Sequence, residues 1–192
     1  MFSLLEPTEG QVRFILAGQQ SLGFSYAEVG ASRSKLPRNY RSDHNRICVG
    51  HGSSTFARAA EALRRWQMFE IPGVHLCWPS TPIEPGNAVA IVAKHCGIWS
   101  LNCCRIVYVV DEGRRYGFAY GTLPEHSICG EERFTVEWDC PSSDSVWYEL
   151  LAFSRPSNSL VRTAYPLARL FQRRFVHESI SAMVRVVTNQ HV

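Results

Sequence analysis

"CRIVYVVDEGRRYGFAYGTLPEHSICGEERFTVEW" (Cys104–Trp138) contains three β-rich runs joined by two short polar breaks. Gly113 and Arg114 suit the tip of a hairpin. The second break ends a strand at Leu123, turns through Pro124 to Gly130 and starts the next near Glu131. Phe134, Val136 and Trp138 alternate with Thr135 and Glu137, the two-residue period of a strand with one buried and one wet face. Connections this short pair neighbours antiparallel, because parallel pairing needs a crossover helix. With the tip at Gly113–Arg114, Val110, Tyr108 and Ile106 share a face with Gly117, Ala119 and Gly121. The other face carries Val109 and Val107 beside Phe118 and Tyr120. Large residues opposite small ones leave room for a helix or a ligand to approach closely.

Further strands flank this block: "GNAVAIVAK" and "IWSLNCCRIVYVVD" before it, "SVWYELLAF" after it. Upstream, Thr8-x-x-Gln11 has capping-box spacing and starts a helix over Thr8–Gln20. The segment from Leu22 to Asn45 has few periodic signals and reads as an extended excursion over the surface, with Asp43–Asn45 as a turn. "RICVGHG" is a short strand, and "SSTFARAAEALRRWQMF" is a helix with Phe56, Ala60, Leu63 and Trp66 at helical spacing, stopped by Ile71-Pro72-Gly73. The last long helix carries Leu160, Ala164, Leu167 and Phe171 on one stripe with Leu170 and Phe175 beside it, and Arg162, Arg169 and Arg173 on another. A helix, a meander of about five antiparallel strands and a final amphipathic helix give an α+β, helix-grip layout. The curved sheet wraps around the long C-terminal helix, and a sheet bent that far leaves an internal space.

The 192 residues form one domain, 1–192, with 45% hydrophobic and 11% aromatic residues, enough for a core without staples. Six arginines against one glutamate give Arg155–Val192 a local charge of +5 on a chain of +3. Such a segment faces either anionic lipid or acids of its own domain. The cysteines Cys48, Cys77, Cys96, Cys103, Cys104, Cys129 and Cys140 are odd in number and lack a C-x-x-C, so neither a disulfide framework nor a zinc knuckle follows. "MFSLLEPTEG" lacks the marks of a signal peptide, and no apolar run of about 18 residues exists to cross a bilayer as a helix. A reducing cytoplasm is the expected setting.

The motifs Y-G-T-L-x-x-H (Tyr120–His126), G-E-E-x-F (Gly130–Phe134) and A-F-S-R-P (Ala152–Pro156), in this order, resemble the domain of unknown function 1990 family, also called uncharacterised protein family 0548. The likeness runs from about residue 20 to residue 188. Glu125 and Tyr165 stand where that family often has glycine, and Ser127 where it often has proline. The resemblance implies no particular reaction. Its layout is similar to the START-like, polyketide-cyclase-like superfamily, which implies binding of apolar ligands or action on them; a shared fold does not fix function.

His126 with Glu131 is the candidate catalytic pair, an imidazole whose tautomer a carboxylate would fix for acid–base work; the alternative is that His126 bonds loop backbone. Glu132, Tyr120, Tyr108, Tyr148 and Trp66 are candidates to line the internal space, each aromatic offering apolar bulk and a polar tip. Arg155, at the hand-over to the last helix, is the candidate to hold an anionic head group. No metal site and no cofactor is nominated; Cys129 near His126 is too little for either. The expected function is a soluble pocket protein, a binder or carrier of a hydrophobic or amphipathic small molecule with an anionic end. The alternatives are an enzyme using the same cavity, and a membrane-associated or pore-forming β-rich protein with peripheral lipid contact through its basic helix. Nucleic acid is not an expected partner, since the arginines lack interleaved stacking aromatics. Oligomeric state is unreadable.

Overall fold

The computed structural model describes residues 1–157, 163 and 165–188. Among the described residues eleven principal elements follow one another: β1 (Phe2–Ser3), α1 (Glu9–Gln19), β2 (Arg41–His51), α2 (Gly52–Arg64), β3 (Val74–Cys77), β4 (Ala88–His95), β5 (Ile98–Glu112), β6 (Arg115–Thr122), β7 (Ile128–Asp139), β8 (Ser145–Pro156) and α3 (Tyr165–Thr188). The strands make one eight-stranded curved sheet in the order β2-β8-β7-β6-β5-β4-β3, with β1 paired to β5. Every pair is antiparallel. The helix-grip layout expected from the order of elements is the observed one.

Local chemistry explains the element ends. Thr8 caps α1 through a complete capping box with Gln11. α2 ends where Trp66 takes a left-handed conformation (φ 58°), several residues before Ile71-Pro72-Gly73. β2 begins at Arg41 rather than Arg46, so Asp43–Asn45 is strand, not turn. Its 41–45 half lacks apolar alternation because Asp43 and Asn45 border the polar part of a cavity. β3 pairs with β4 over four residues, too short to show a period.

The concave face is the main core. Phe118, Phe134, Tyr148 and Leu150 from the strands meet Leu63 from α2 and Met183 and Val187 from α3, all almost fully buried. Each such apolar side chain contributes about 1.5–3 kcal/mol by leaving water. A bulge between Ile106 and Tyr108 shifts the β5–β6 register, pairing Ile106 with Tyr120 and Tyr108 with Ala119. Ile106 therefore joins the concave core while Tyr108 and Val110 stay on the face of Gly117, Ala119 and Gly121, which corrects the single-face expectation for all three. Leu170, expected beside the helix stripe, is 61% exposed. Leu160, Ala164, Arg162 and the Leu167 side chain lie outside the described residues.

The convex face is covered as well. α1 packs Val12 on Ala90, Val92, Leu101 and Cys103. The excursion before β2 lays Tyr26 and Tyr40 on Cys129 and Phe153. The space left by Gly121 is taken by this excursion, since a Cβ there would sit 2.1 Å from Tyr26 Oη. Around it run the ion pairs Arg133–Glu149 and Arg46–Glu137, with His44 Nε2 3.1 Å from Glu149 Oε2. An open sheet with a charged, overlaid outer face is not a lipid-facing barrel, which needs closure and an apolar outer band.

Gly121→Ala is expected to lift the excursion off the sheet and destabilise the fold by about 1–3 kcal/mol, the range for overpacking. Urea denaturation and faster proteolysis between residues 24 and 33 would register it; an unchanged midpoint would show that the segment is not packed there.

Candidate functional site

Helix α3 is fastened to the sheet at several points, among them Gln172 Nε2 donating to Ser154 Oγ at 3.3 Å and Phe171 stacked on His95 with ring centres 4.1 Å apart. Near its C-terminal end Met183 and Val187 are buried against the core, and Ser179 Oγ bonds Tyr148 Oη at 2.9 Å. Near its start Arg169 clasps Asp43 of β2 with both terminal nitrogens, Nη2 donating to Oδ1 at 2.6 Å. Between these points lies a cavity of about 600 Å³. Its helix side mixes apolar Phe171, Phe175, Val176 and Ile180 with Arg169, Gln172, Arg173 and Arg174; Phe69, Ile71 and Ile91 extend the apolar surface. Its strand side carries Asp43, Asn45, Asn102, Glu132 and Ser154.

One cross-strand row organises the polar side. Asp43 pairs with Ala152, Ala152 with Glu132, and Glu132 with Tyr120, across β2, β8, β7 and β6. Neighbouring strands lie about 4.8 Å apart, so small Ala152 separates two carboxylates by about two strand spacings. The two acids differ. Hydrogen bonding from Arg169 holds Asp43 below the usual carboxylate range. Burial pushes Glu132 up to about 7, against the opposing effect of the bond from Tyr120 Oη to its Oε2 at 2.5 Å. Burial and the Glu132 charge push the Tyr120 hydroxyl far up. Among the described residues no hydrogen bond reaches Glu132 Oε1 and none reaches the Asn45 amide.

The proposed catalytic pair does not form. Period-two alternation sends Glu131 to the convex side, 2% exposed, where it accepts from Tyr26 Oη (2.7 Å), Gly30 N (2.7 Å), Ser32 N (3.0 Å) and Ser32 Oγ. It latches the excursion to the sheet. His126 borders the cavity, but its Nδ1 accepts from Ile128 N at 3.0 Å, the loop-backbone role. With Nδ1 an acceptor, the neutral ring carries its proton on Nε2. Burial first, and the Met1 amine second, lower its pKa to about 4.

Of the candidate lining residues, Tyr120 and Glu132 border the cavity. Trp66 and Tyr148 are core on the same face, 2% and 0% exposed; the Trp66 indole donates to Thr81 O. Tyr108 and Arg155 are on the other side of the sheet. Tyr108 Oη bonds Ser32 Oγ at 2.6 Å beneath the Arg33 guanidinium. Exposed Arg155 lies 4.6 Å over the Tyr40 ring. An anionic head group at Arg155 would therefore be outside the cavity. Asp43, Asn45, Asn102 and Arg169 were not singled out as cavity wall; the signal was the Asp43-x-Asn45-x-Ile47 alternation, which puts two polar residues on the face of a core isoleucine.

Residues 25–182 match the family model "Domain of unknown function (DUF1990)". The chain belongs to this family. A "UPF0548 protein" of Dictyostelium discoideum is 32% identical, the match covering 100% of this chain and 99% of that one. One of Deinococcus radiodurans is 38% identical over 96% and 98%. The family member also shares its fold with a solved structure, the hypothetical protein jhp0584 of Helicobacter pylori: TM-score 0.50, 11% identity, 84% of this chain and 94% of that one. Among the described residues no helix is long and apolar enough to cross a membrane.

Two opposed pH effects on stability follow. Glu132 has a raised folded pKa, near 7 against 4.5, so between these values the folded chain keeps a proton the unfolded chain has lost. Its contribution is fully present below 4.5 and is lost as pH rises to 7. His126 has a lowered one, about 4 against 6.5, so the unfolded chain binds the extra proton and stability falls as pH drops from 6.5 to 4. Glu132→Gln is expected to gain on the wild type by at most about 3 kcal/mol between pH 4.5 and 8. His126→Gln is expected to lose the acid-side fall. Urea denaturation across pH 4–8 measures both, and profiles parallel to the wild type would contradict the assignment.

Proposed function

We propose that this protein binds a hydrophobic or amphipathic small molecule in the space between the sheet and α3, and acts as its binder or carrier. The observation that carries this reading is the cavity between α3 and the sheet, where aromatic and aliphatic side chains lie beside a few polar strand residues. A volume of about 600 Å³ falls in the range of small-molecule sites, roughly 300–1,000 Å³. The polar residues give such a ligand orientation; the apolar wall gives it affinity. Native mass spectrometry of protein purified without detergent is expected to show a bound small molecule. Ala152→Phe, which places a ring on the cavity floor, is expected to abolish the adduct while keeping the thermal midpoint. Equal ligand occupancy in folded Ala152→Phe would overturn the reading.

One observation favours a second reading, turnover in the same cavity. Glu132 titrates near 7 at the wall, the range suited to proton transfer at neutral pH. In that case Glu132, rather than the separated His126 and Glu131, is the acid–base group. Any turnover found would follow a single ionisation near 7 and vanish in Glu132→Gln.

A further inference from the structure

We infer that the polar end of the ligand is a protonated amine seated on Glu132 among aromatic rings; the inference rests on the cavity-binding reading above. The first ground is a missing cation. Glu132 receives one hydrogen bond, from Tyr120, and forms no ion pair among the described residues. Arg169, which reaches this row from α3, is clasped by Asp43 and also bonds Gln172 Oε1 at 2.8 Å. The row thus holds two carboxyl groups, with one guanidinium engaged by Asp43; Lys94, Arg173 and Arg174, which also border the cavity, are exposed and none is paired with Glu132 among the described residues. An anionic ligand end would meet repulsion there, whereas an ammonium supplies what Glu132 lacks.

The second ground is the surplus of acceptors. Asn102 Nδ2 donates to Ser100 Oγ at 3.0 Å, which leaves its Oδ1 facing the cavity side of β5. Glu132 Oε1 is a further acceptor, and the Tyr120 hydroxyl is already donating, while the Asn45 amide offers both a carbonyl and an NH2. A ligand that completes these groups brings N–H donors.

The third ground is aromatic. Phe69 lies 6.3 Å from Tyr120 and 5.4 Å from Phe175, ring centre to ring centre, and all three border the cavity. Ring faces attract cations and do so more strongly away from water. Ala152 beside Glu132 leaves the space in which a head group sits. The hydrophobic remainder then runs along Phe171, Val176 and Ile180. The class of ligand is a lipophilic amine.

The test uses the full chain, a neutral fluorescent naphthylamine dye as cavity probe, and three chain-matched competitors: dodecylamine, dodecanol and dodecanoate. Dodecylamine is expected to displace the dye at a concentration at least about tenfold lower than dodecanol, with dodecanoate weakest, the size expected for one buried charge pair. In Glu132→Gln the amine's advantage over the alcohol disappears and the alcohol's own affinity is kept, which also shows that the variant is folded. In the wild type the advantage shrinks as pH falls from 8 to 5, because Glu132 gains a proton while the amine stays charged. The groups bearing on Glu132 are Asp43 from β2 and Tyr120 from β6, and its charge acts in turn on Cys104 from β5 and Tyr148 from β8; Asp43, near Arg41, Arg169 and Arg173, stays ionised through that range under its bond from Arg169. Should Glu132→Gln not fold, the wild-type pH profile decides alone. An amine no better than the alcohol, or a preference that survives in Glu132→Gln, overturns the amine inference and leaves the cavity reading standing. Failure of the dye and all three competitors to bind overturns both.

Discussion

The hollow lies between α3 and the concave face of the sheet, along a helix fastened at several points. At one end ordinary core packing, through Met183 and Val187, brings helix and sheet together. At the other a long arginine reaches an aspartate, Arg169 to Asp43, which ties the helix to an edge strand, β2. A guanidinium clasped bidentately is directional, so it fixes where the helix starts. Replacing that pair by two apolar residues of lesser reach would let the gap close, since protein interiors pack to near crystal density where nothing props them apart.

The second constraint is the alternation of β7. Two adjacent glutamates occupy opposite sides of one sheet and do different work. Glu131 is enclosed by four donors from residues 26–32, the environment of a structural carboxylate. Glu132 has one donor and opens on the cavity, the environment of a group kept in reserve for something else. Desolvation alone pushes a carboxyl's pKa upward, and the contrast with Asp43, desolvated but paired, shows how a single arginine reverses that direction.

The sequence made the architecture readable where periodicity and turn chemistry agree. The hairpin tip at Gly113–Arg114, the Thr8 capping box and the short connections from β4 to β8 all carry their own local signals. The site was harder. β2 hides its first half because residues that line a polar cavity break the alternation that marks a strand, so Asp43 and Asn45 read as a turn for the same reason that they border the cavity. Tyr108 and Arg155 look like pocket residues by type, but strand alternation puts both on the other side, Tyr108 opposite Ala119 and Arg155 opposite Cys129. Trp66 and Tyr148 have the right side chains on the right face but are closed in by Phe118 and Ser179. His126 and Glu131, neighbours in the chain, are engaged by different partners on different sides of the sheet.

The most direct examination of this account is a crystal structure of the protein purified without detergent or organic solvent. The account predicts an open cavity between α3 and the sheet, with unassigned density lying over Ala152 and extending toward Ile180. A helix settled onto the strands, with Phe171 and Phe175 filling the interior and Glu132 closed off by protein atoms, would contradict it.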